Sequence, residues 1–490
     1  MNLKIILFCA FLFQLISCAK SGNDEDLKPA TRGDLAICFP GEMEESPFLL
    51  VSDQPTSTFG VDVDTASYTY ARTQIHQGQW PKKDSLRSEE FINYFTYQTP
   101  SPQNGDPIGV FFETSQAPWK KDHRLVKIAL KAKDLPPTTP PPLNLVFLID
   151  VSGSMNDEGK LDLIKYALNN LSTELKANDR LSVVTYSTDI ETPIEGAHGN
   201  DVTKIQSAVS KLVAAGGTAG HAGLQRAYEL AQKFYLPNGE NRVVLSTDGD
   251  FNVGISNPND LKKYVHKQAQ MGVNLSVHGY GMMRANDKLL EVLADNANGS
   301  YAFIDNRAEA KKVFSLQLLQ TLTLVAQDVK LQLQFNPEVV HSYRLIGYEN
   351  RRLTESDFET REVDTGDMGA GHQVTAFYEL ILKESFLPTQ KKSFDLKIKY
   401  IDPHTKTDRS IETASVDLNG TLENSSEDFR FASAVTAFAL HLGKSKYLNG
   451  FNLEDVLKLA KPAVGKDLNG ERSDFLRLVE TTIQLEKPKN

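Results

Sequence analysis

Residues 143–149, Leu-Asn-Leu-Val-Phe-Leu-Ile, form a nearly continuous apolar run that ends in Asp150-Val151-Ser152-Gly153-Ser154. A run this short and this apolar predicts a strand covered on both faces, as in parallel sheets packed between helices. The chain beyond it keeps that rhythm. Helical spacing over about Lys160–Leu175 leads to an apolar strand at Leu181–Tyr186, then to helices over Val202–Leu212 and Ala222–Phe234. Arg242–Leu245, Val273–Val277 and Tyr301–Ile304 read as strands, with helices over Leu261–Gln270, Asp287–Ala294 and Ala308–Val325 between and after them. Strands separated by helix-length segments predict an open, mostly parallel, Rossmann-like α/β sheet over 143–325.

The flanks have a different texture. Before the run, five prolines in the eight residues Leu135–Pro142 end any regular element and mark a boundary. Upstream of them, 46–135 holds a short strand at Phe59–Val63, helices to about His76 and over Leu86–Tyr97, and strands at 108–115 and 123–131. Asp64 or Thr65 is expected to cap the first helix; as metal ligands, Asp62, Asp64 and Thr65 are a poorer fit than as a strand-to-cap junction. After Ala326, the segments Val329–Phe335, Val339–Tyr348, His372–Leu380 and Ser393–Tyr400 alternate in the manner of antiparallel strands with one buried face. Thr354–Gly371 between them is acidic and glycine-rich and is expected to be a mobile linker. Residues 427–486 read as helical. Neither flank closes a core alone, so 46–135 and 326–420 are expected to join into one β-sandwich in which the α/β domain is inserted.

The beginning of the chain is a separate matter. Lys4 precedes an apolar run, Ile5–Ile16, too short to span a bilayer, which reads as a secretion signal. Its end, Leu15-Ile16-Ser17-Cys18, resembles the box of bacterial lipoprotein signal peptidase substrates. The resemblance implies removal of 1–17, acylation of Cys18 into a lipid bilayer, and a polar tether over 18–45. Ala19 after Cys18, by the same resemblance, points to the outer membrane of a bacterial envelope. With Cys9 and Cys18 so used, Cys38 stands alone and no internal disulfide is expected. A formal charge of -10 with no basic patch argues against nucleic acid as a partner.

The chemistry gathers at the carboxyl edge of the sheet, where open α/β folds place their ligands. Asp150, Ser152 and Ser154 stand at alternate positions of one tight loop. Ala215-Gly216-Gly217-Thr218-Ala219-Gly220 offers a further hydroxyl, and Ser246-Thr247-Asp248-Gly249 ends a strand on a carboxylate. Carboxylate and hydroxyl oxygens are hard donors that suit Mg²⁺, with Mn²⁺ or Ca²⁺ as alternatives.

Asp150-x-Ser152-x-Ser154, Thr218 and Asp248 together resemble the metal-ion-dependent adhesion site of von Willebrand factor type A domains. The resemblance implies that Ser152, Ser154 and Thr218 give hydroxyl oxygens, that Asp150 and Asp248 act directly or through water, and that a partner's acidic group completes the shell. His221, Asp250, Phe251 and Asn252 are candidate rim contacts for that partner. Phe59–Tyr68, Gly371–Glu379 and Phe429–Ala432 resemble the flanks of a bacterial subgroup of these proteins. The expected function is a metal-dependent adhesion or interaction module at the bacterial envelope, binding an unidentified protein or surface polymer that offers a carboxylate. An envelope assembly scaffold is the second reading and a metal-assisted hydrolase the third. No histidine adjoins either serine in sequence, though His221 or His278 could serve as a base from afar, and no catalytic residue is assigned.

Overall fold

All eight residues of strand β5, Leu143–Asp150, are buried, because the strand lies between two parallel neighbours with helices on both faces. In the computed structural model, described over 45–487 apart from 62–63, 104, 135–140, 218–219, 250–257, 282–286, 318–321, 364, 385–391 and 416–417, this strand is central to a six-stranded sheet. Numbered along the chain, the strands are β1 (Leu49–Leu50), β2 (Thr56–Gly60), β3 (Ile108–Ala117), β4 (Lys120–Ala132), β5, β6 (Arg180–Tyr186), β7 (Ile190–His198) and β8 (Glu240–Thr247). They continue as β9 (Asn274–Tyr280), β10 (Tyr301–Ile304), β11 (Leu324–Phe335), β12 (Val340–Ile346), β13 (Met368–Gly369), β14 (Gln373–Leu382), β15 (Phe394–Ile401) and β16 (Asp408–Ser415). The central sheet has the order β10-β9-β8-β5-β6-β7. One apolar layer packs on each of its faces, around Val146, Leu148 and Leu224 on one side and Leu145, Phe147 and Ile164 on the other.

Two further sheets, β1-β12-β14-β4-β3 and β13-β11-β15-β16 with β2 also on β11, face each other across a single core that includes Val126, Ile128, Leu331 and Leu333. Strands from before and after the central domain pair directly, β4 with β14 and β2 with β11.

This arrangement corrects the mostly parallel sheet expected as the mark of the fold. Among the described strands, nine pairings are antiparallel and four are parallel. The cause is connection length. Parallel pairing needs a long crossover, whereas β3–β4 and β15–β16 are joined by short turns that only antiparallel neighbours can use. The chain is thus an α/β domain with flanking, mostly antiparallel sheets.

Other local expectations also change. Strand β7 was not anticipated: Pro193 stands within it and only two of its nine residues are buried, as at a sheet edge. The long helix expected over Ala308–Val325 is instead a short helix, Arg307–Lys311, a π-helical turn at Lys312–Gln317, and the start of β11 at Leu324. Thr354–Gly371, expected as a mobile linker, contains a helix at Glu355–Glu359 closed by a reciprocal Thr354–Asp357 capping box, and then β13. Thr65 is the N-cap of helix Ala66–His76 without a side-chain cap bond, while Asp64 accepts from the Tyr301 amide at 3.0 Å across to the central domain.

The remaining helices form a third layer. Helices Ser88–Tyr94, Glu427–Leu442, Leu453–Ala460 and Glu471–Glu486 share an aromatic core around Phe91, Phe95, Phe431, Phe438 and Phe475. Phe95 meets Phe431 and Phe475 edge to face, the arrangement that ring quadrupoles favour.

Candidate functional site

Register explains why distant residues converge. Ile149 of β5 pairs with Ser246 of β8, and Asp150 with Tyr186 of β6, so all three strands end at one edge. Asp150 and Asp248 therefore leave adjacent strands side by side, both almost fully buried. The loop after β5 is fixed by its own backbone. The Ser152 amide donates to Asp150 Oδ1 at 2.8 Å, the Met155 amide to the Ser152 carbonyl at 3.0 Å, and the Met155 side chain is buried beneath. This turn brings Ser152 Oγ and Ser154 Oγ within 3.2 Å of each other.

A second loop docks onto the first. The Ala215 amide donates to the Val151 carbonyl at 2.7 Å and the Gly153 amide to the Gly216 carbonyl at 3.1 Å. Gly216 has φ +85°, and a Cβ there would meet Thr188 Oγ1 at 2.6 Å, so both backbone angle and space demand glycine. Thr218 lies outside the described residues, as do Asp250, Phe251, Asn252 and Cys18; the His221 side chain is likewise not described.

Burial pushes the Asp150 carboxyl above its usual range, and the nearby Asp248 adds to this, against the Ser152 hydroxyl and amide that stabilise the charge. Thr247 Oγ1 lies 3.5 Å from Asp150 Oδ2, with Tyr186 buried behind both. Sequence reasoning missed one member. Lys160 opens helix Lys160–Ser172, and its Nζ donates to Asp248 Oδ2 at 3.1 Å and to the Ser154 carbonyl at 3.1 Å. Nothing in the sequence separated it from a solvated lysine on a helix.

Among the described residues, no three His, Cys, Asp or Glu side chains cluster as a metal site. The donors present are instead two carboxylates and two hydroxyls, which fit a hard divalent cation in chemistry, with an ammonium already on one carboxylate. The nucleophile reading gains no support. His278 is in the core against Phe314, ring centroids 5.0 Å apart, and burial holds its pKa down to about 3.

Comparison with known proteins matches three family models: von Willebrand factor over 41–127, von Willebrand factor type A domain over 144–320, and the C-terminal region of the uncharacterized protein YfbK over 320–485. YfbK of Escherichia coli is 37% identical over 462 residues, covering 90% of this chain and 80% of that protein. The uncharacterized protein sll0103 of Synechocystis is 31% identical over 297 residues, 59% of this chain and 68% of that one. A von Willebrand factor type A structure from Catenulispora acidiphila aligns over 77% of this chain and 91% of that one, at 17% identity and a TM-score of 0.44. The chain belongs to the YfbK family of bacterial proteins, in which a von Willebrand factor type A domain is set between flanking regions.

Proposed function

We propose that the protein is a protein–protein interaction module of the bacterial envelope that binds an acidic group of its partner through a divalent cation. Asp150, Ser152, Ser154, Thr218 and Asp248 would hold Mg²⁺, or Mn²⁺ or Ca²⁺ in its place. The observation that carries the reading is the pair of serine hydroxyls 3.2 Å apart at the end of β5, beside two carboxylates from adjacent strands. When bound, the cation supplies a Lewis-acidic position for an oxygen ligand. The chain's residues do the rest: β5 and β8 place the carboxylates, and the Ser152 amide orients Asp150. Lys160 offsets one negative charge, so a filled site would be net positive and attract a carboxylate.

The anchor belongs to the same proposal. Acylated Cys18 would hold the protein at the outer membrane, and residues 18–45 would tether the folded part. Among the described residues no helix is long and apolar enough to cross a membrane. The partner would be a protein or surface polymer presenting a carboxylate.

A pull-down from bacterial envelope extract, with Mg²⁺ or with EDTA, compares wild type with Asp150→Ala. Loss of the same partner on chelation and on substitution is the expected result. A partner retained equally in all arms favours the scaffold reading instead.

A further inference from the structure

Strand β4 alternates between two different interiors. Val126, Ile128 and Leu130 enter the sandwich core, while Leu125 faces the helical layer on the opposite side. Lys127 shares that second face. It is only 6% exposed, and its ammonium lies 4.5 Å from the centroid of the Tyr97 ring. Among the described residues it makes no ion pair or hydrogen bond. A largely buried ammonium that faces a ring and reaches solvent only through a cleft is costly, because much of its hydration is lost and, among the described residues, no hydrogen-bond acceptor replaces it.

Lys127 forms part of the lining of a cleft of about 350 Å³ between β3, β4, residues 98–100 and the start of helix Glu427–Leu442. The acids around it are already engaged. Glu113 accepts from the Ser426 amide at 2.6 Å and from the Ser426 hydroxyl at 2.7 Å. Asp428 accepts from the Gln98 amide and from Arg472 at 2.6 Å. Pro100, Phe111 and Ala129 supply apolar wall. Burial draws the Lys127 pKa below the usual lysine range even though Asp428 and Glu113 act the other way.

We propose that this cleft is a second binding site, for a small monocarboxylate whose oxygens accept from Lys127 and whose apolar body lies along Phe111. A single negative charge matches the Lys127 ammonium, which among the described residues has no hydrogen-bond or ion-pair partner. A dianion such as phosphate would meet the Glu113 and Asp428 carboxylates. The volume suits a ligand of small-metabolite size. The site lies on the sandwich and helical layers, so it stands independently of the cation reading at the end of β5.

Isothermal titration calorimetry on the full chain, with sodium benzoate as probe and inorganic phosphate in a parallel arm, tests the proposal. Wild type is expected to bind benzoate and not phosphate. Lys127→Met, which keeps the aliphatic stem, should weaken benzoate at least tenfold, and Lys127→Arg should retain it. Phe111→Ala, with the ammonium intact, should weaken benzoate several-fold and guards against reading a misfolded Lys127→Met as a lost site. No benzoate binding to wild type, equal binding to Lys127→Met, or tighter binding of phosphate than benzoate overturns the proposal.

Discussion

Lys160 Nζ stands 3.1 Å from Asp248 Oδ2, and both side chains are buried. The proposed cation site would thus contain a cation of its own, since Lys160 also donates to the Ser154 carbonyl of the loop that carries Ser152 and Ser154. Two buried carboxylates on adjacent strands repel each other, and the ammonium relieves that repulsion in the absence of a metal.

Lys160→Met is therefore expected to lower the melting temperature of metal-free protein while tightening Mn²⁺ or Mg²⁺ about tenfold, or roughly 1.4 kcal/mol. Isothermal titration calorimetry beside melting curves in EDTA reads both effects. Gly281→Ala probes the same contact indirectly, since its Cβ would lie 2.4 Å from Lys160 Cε at a backbone φ of +78°. Metal affinity unchanged or weakened in Lys160→Met would show that the ammonium does not compete.

The central domain is joined to the N-terminal helix through a buried polar contact. Arg72 donates to Asp305 at 2.6 and 2.7 Å and to Glu309 at 3.1 Å, and Tyr94 OH donates to the same Glu309 at 2.7 Å. Burial already raises the Asp305 carboxyl, with Arg72 opposing the shift. Arg72→Met leaves two buried acids without their cation and should cost about 3–5 kcal/mol in urea unfolding. Arg72→Met combined with Asp305→Leu and Glu309→Leu should recover much of that loss, because no buried charge remains unpaired. A triple variant no more stable than the single one would contradict this account.

The unequal legibility of the sequence has physical causes. Strand β5 and its Asp-x-Ser-x-Ser loop could be read because a strand buried on both faces must be apolar throughout and stop abruptly. Strands β7 and β16 could not. Both are edge strands, and β16, Asp408–Ser415, has one buried residue in eight, so neither carries the burial pattern that marks a strand. The capping box at Thr354 was present as Thr-x-x-Asp but was outweighed by the acidic, glycine-rich surroundings. Lys160 and Arg72 were invisible for another reason. Their partners lie 88 and 233 residues away, and one sequence gives no sign of contacts over such separations.

Glu379 and Arg344 form a corresponding buried anchor on the outer face of the sandwich sheet, the face that also carries Ile346 and Phe377 against the helical layer. They meet at 2.7 Å with neither side chain exposed, and Arg344 also reaches Glu45 at 2.6 Å while its guanidinium lies over the Tyr447 ring. The pair links β12 and β14 to Glu45 and to Tyr447, which follows helix Glu427–Leu442. Glu379→Leu leaves Glu45 as the guanidinium's one carboxylate partner among the described residues and is expected to destabilise by about 3 kcal/mol, with Arg344→Met similar. Their double variant should lose less than the sum, a coupling that a thermodynamic cycle in guanidinium chloride measures. Strict additivity would mean that the pair contributes nothing as a pair.

His278 sets a pH dependence of defined sign. Burial, with Arg242 nearby, holds its folded pKa down to about 3, whereas an unfolded histidine titrates near 6.5. Between those values the unfolded chain binds a proton that the folded one refuses, so stability falls as pH drops from about 6.5 toward 4. A full shift over that range is on the order of 3 kcal/mol. Asp367 acts in the opposite sense: burial raises it to about 6, which favours the folded state as pH falls from about 6 to 4. Comparing wild type with His278→Phe removes that background, since Asp367 is common to both. Phenylalanine keeps a ring against Phe314 and cannot titrate. Urea unfolding at pH 7 and at pH 4.5 should therefore show a smaller loss of stability in His278→Phe. An equal or steeper loss in the variant would mean that His278 accepts its proton without leaving the folded core.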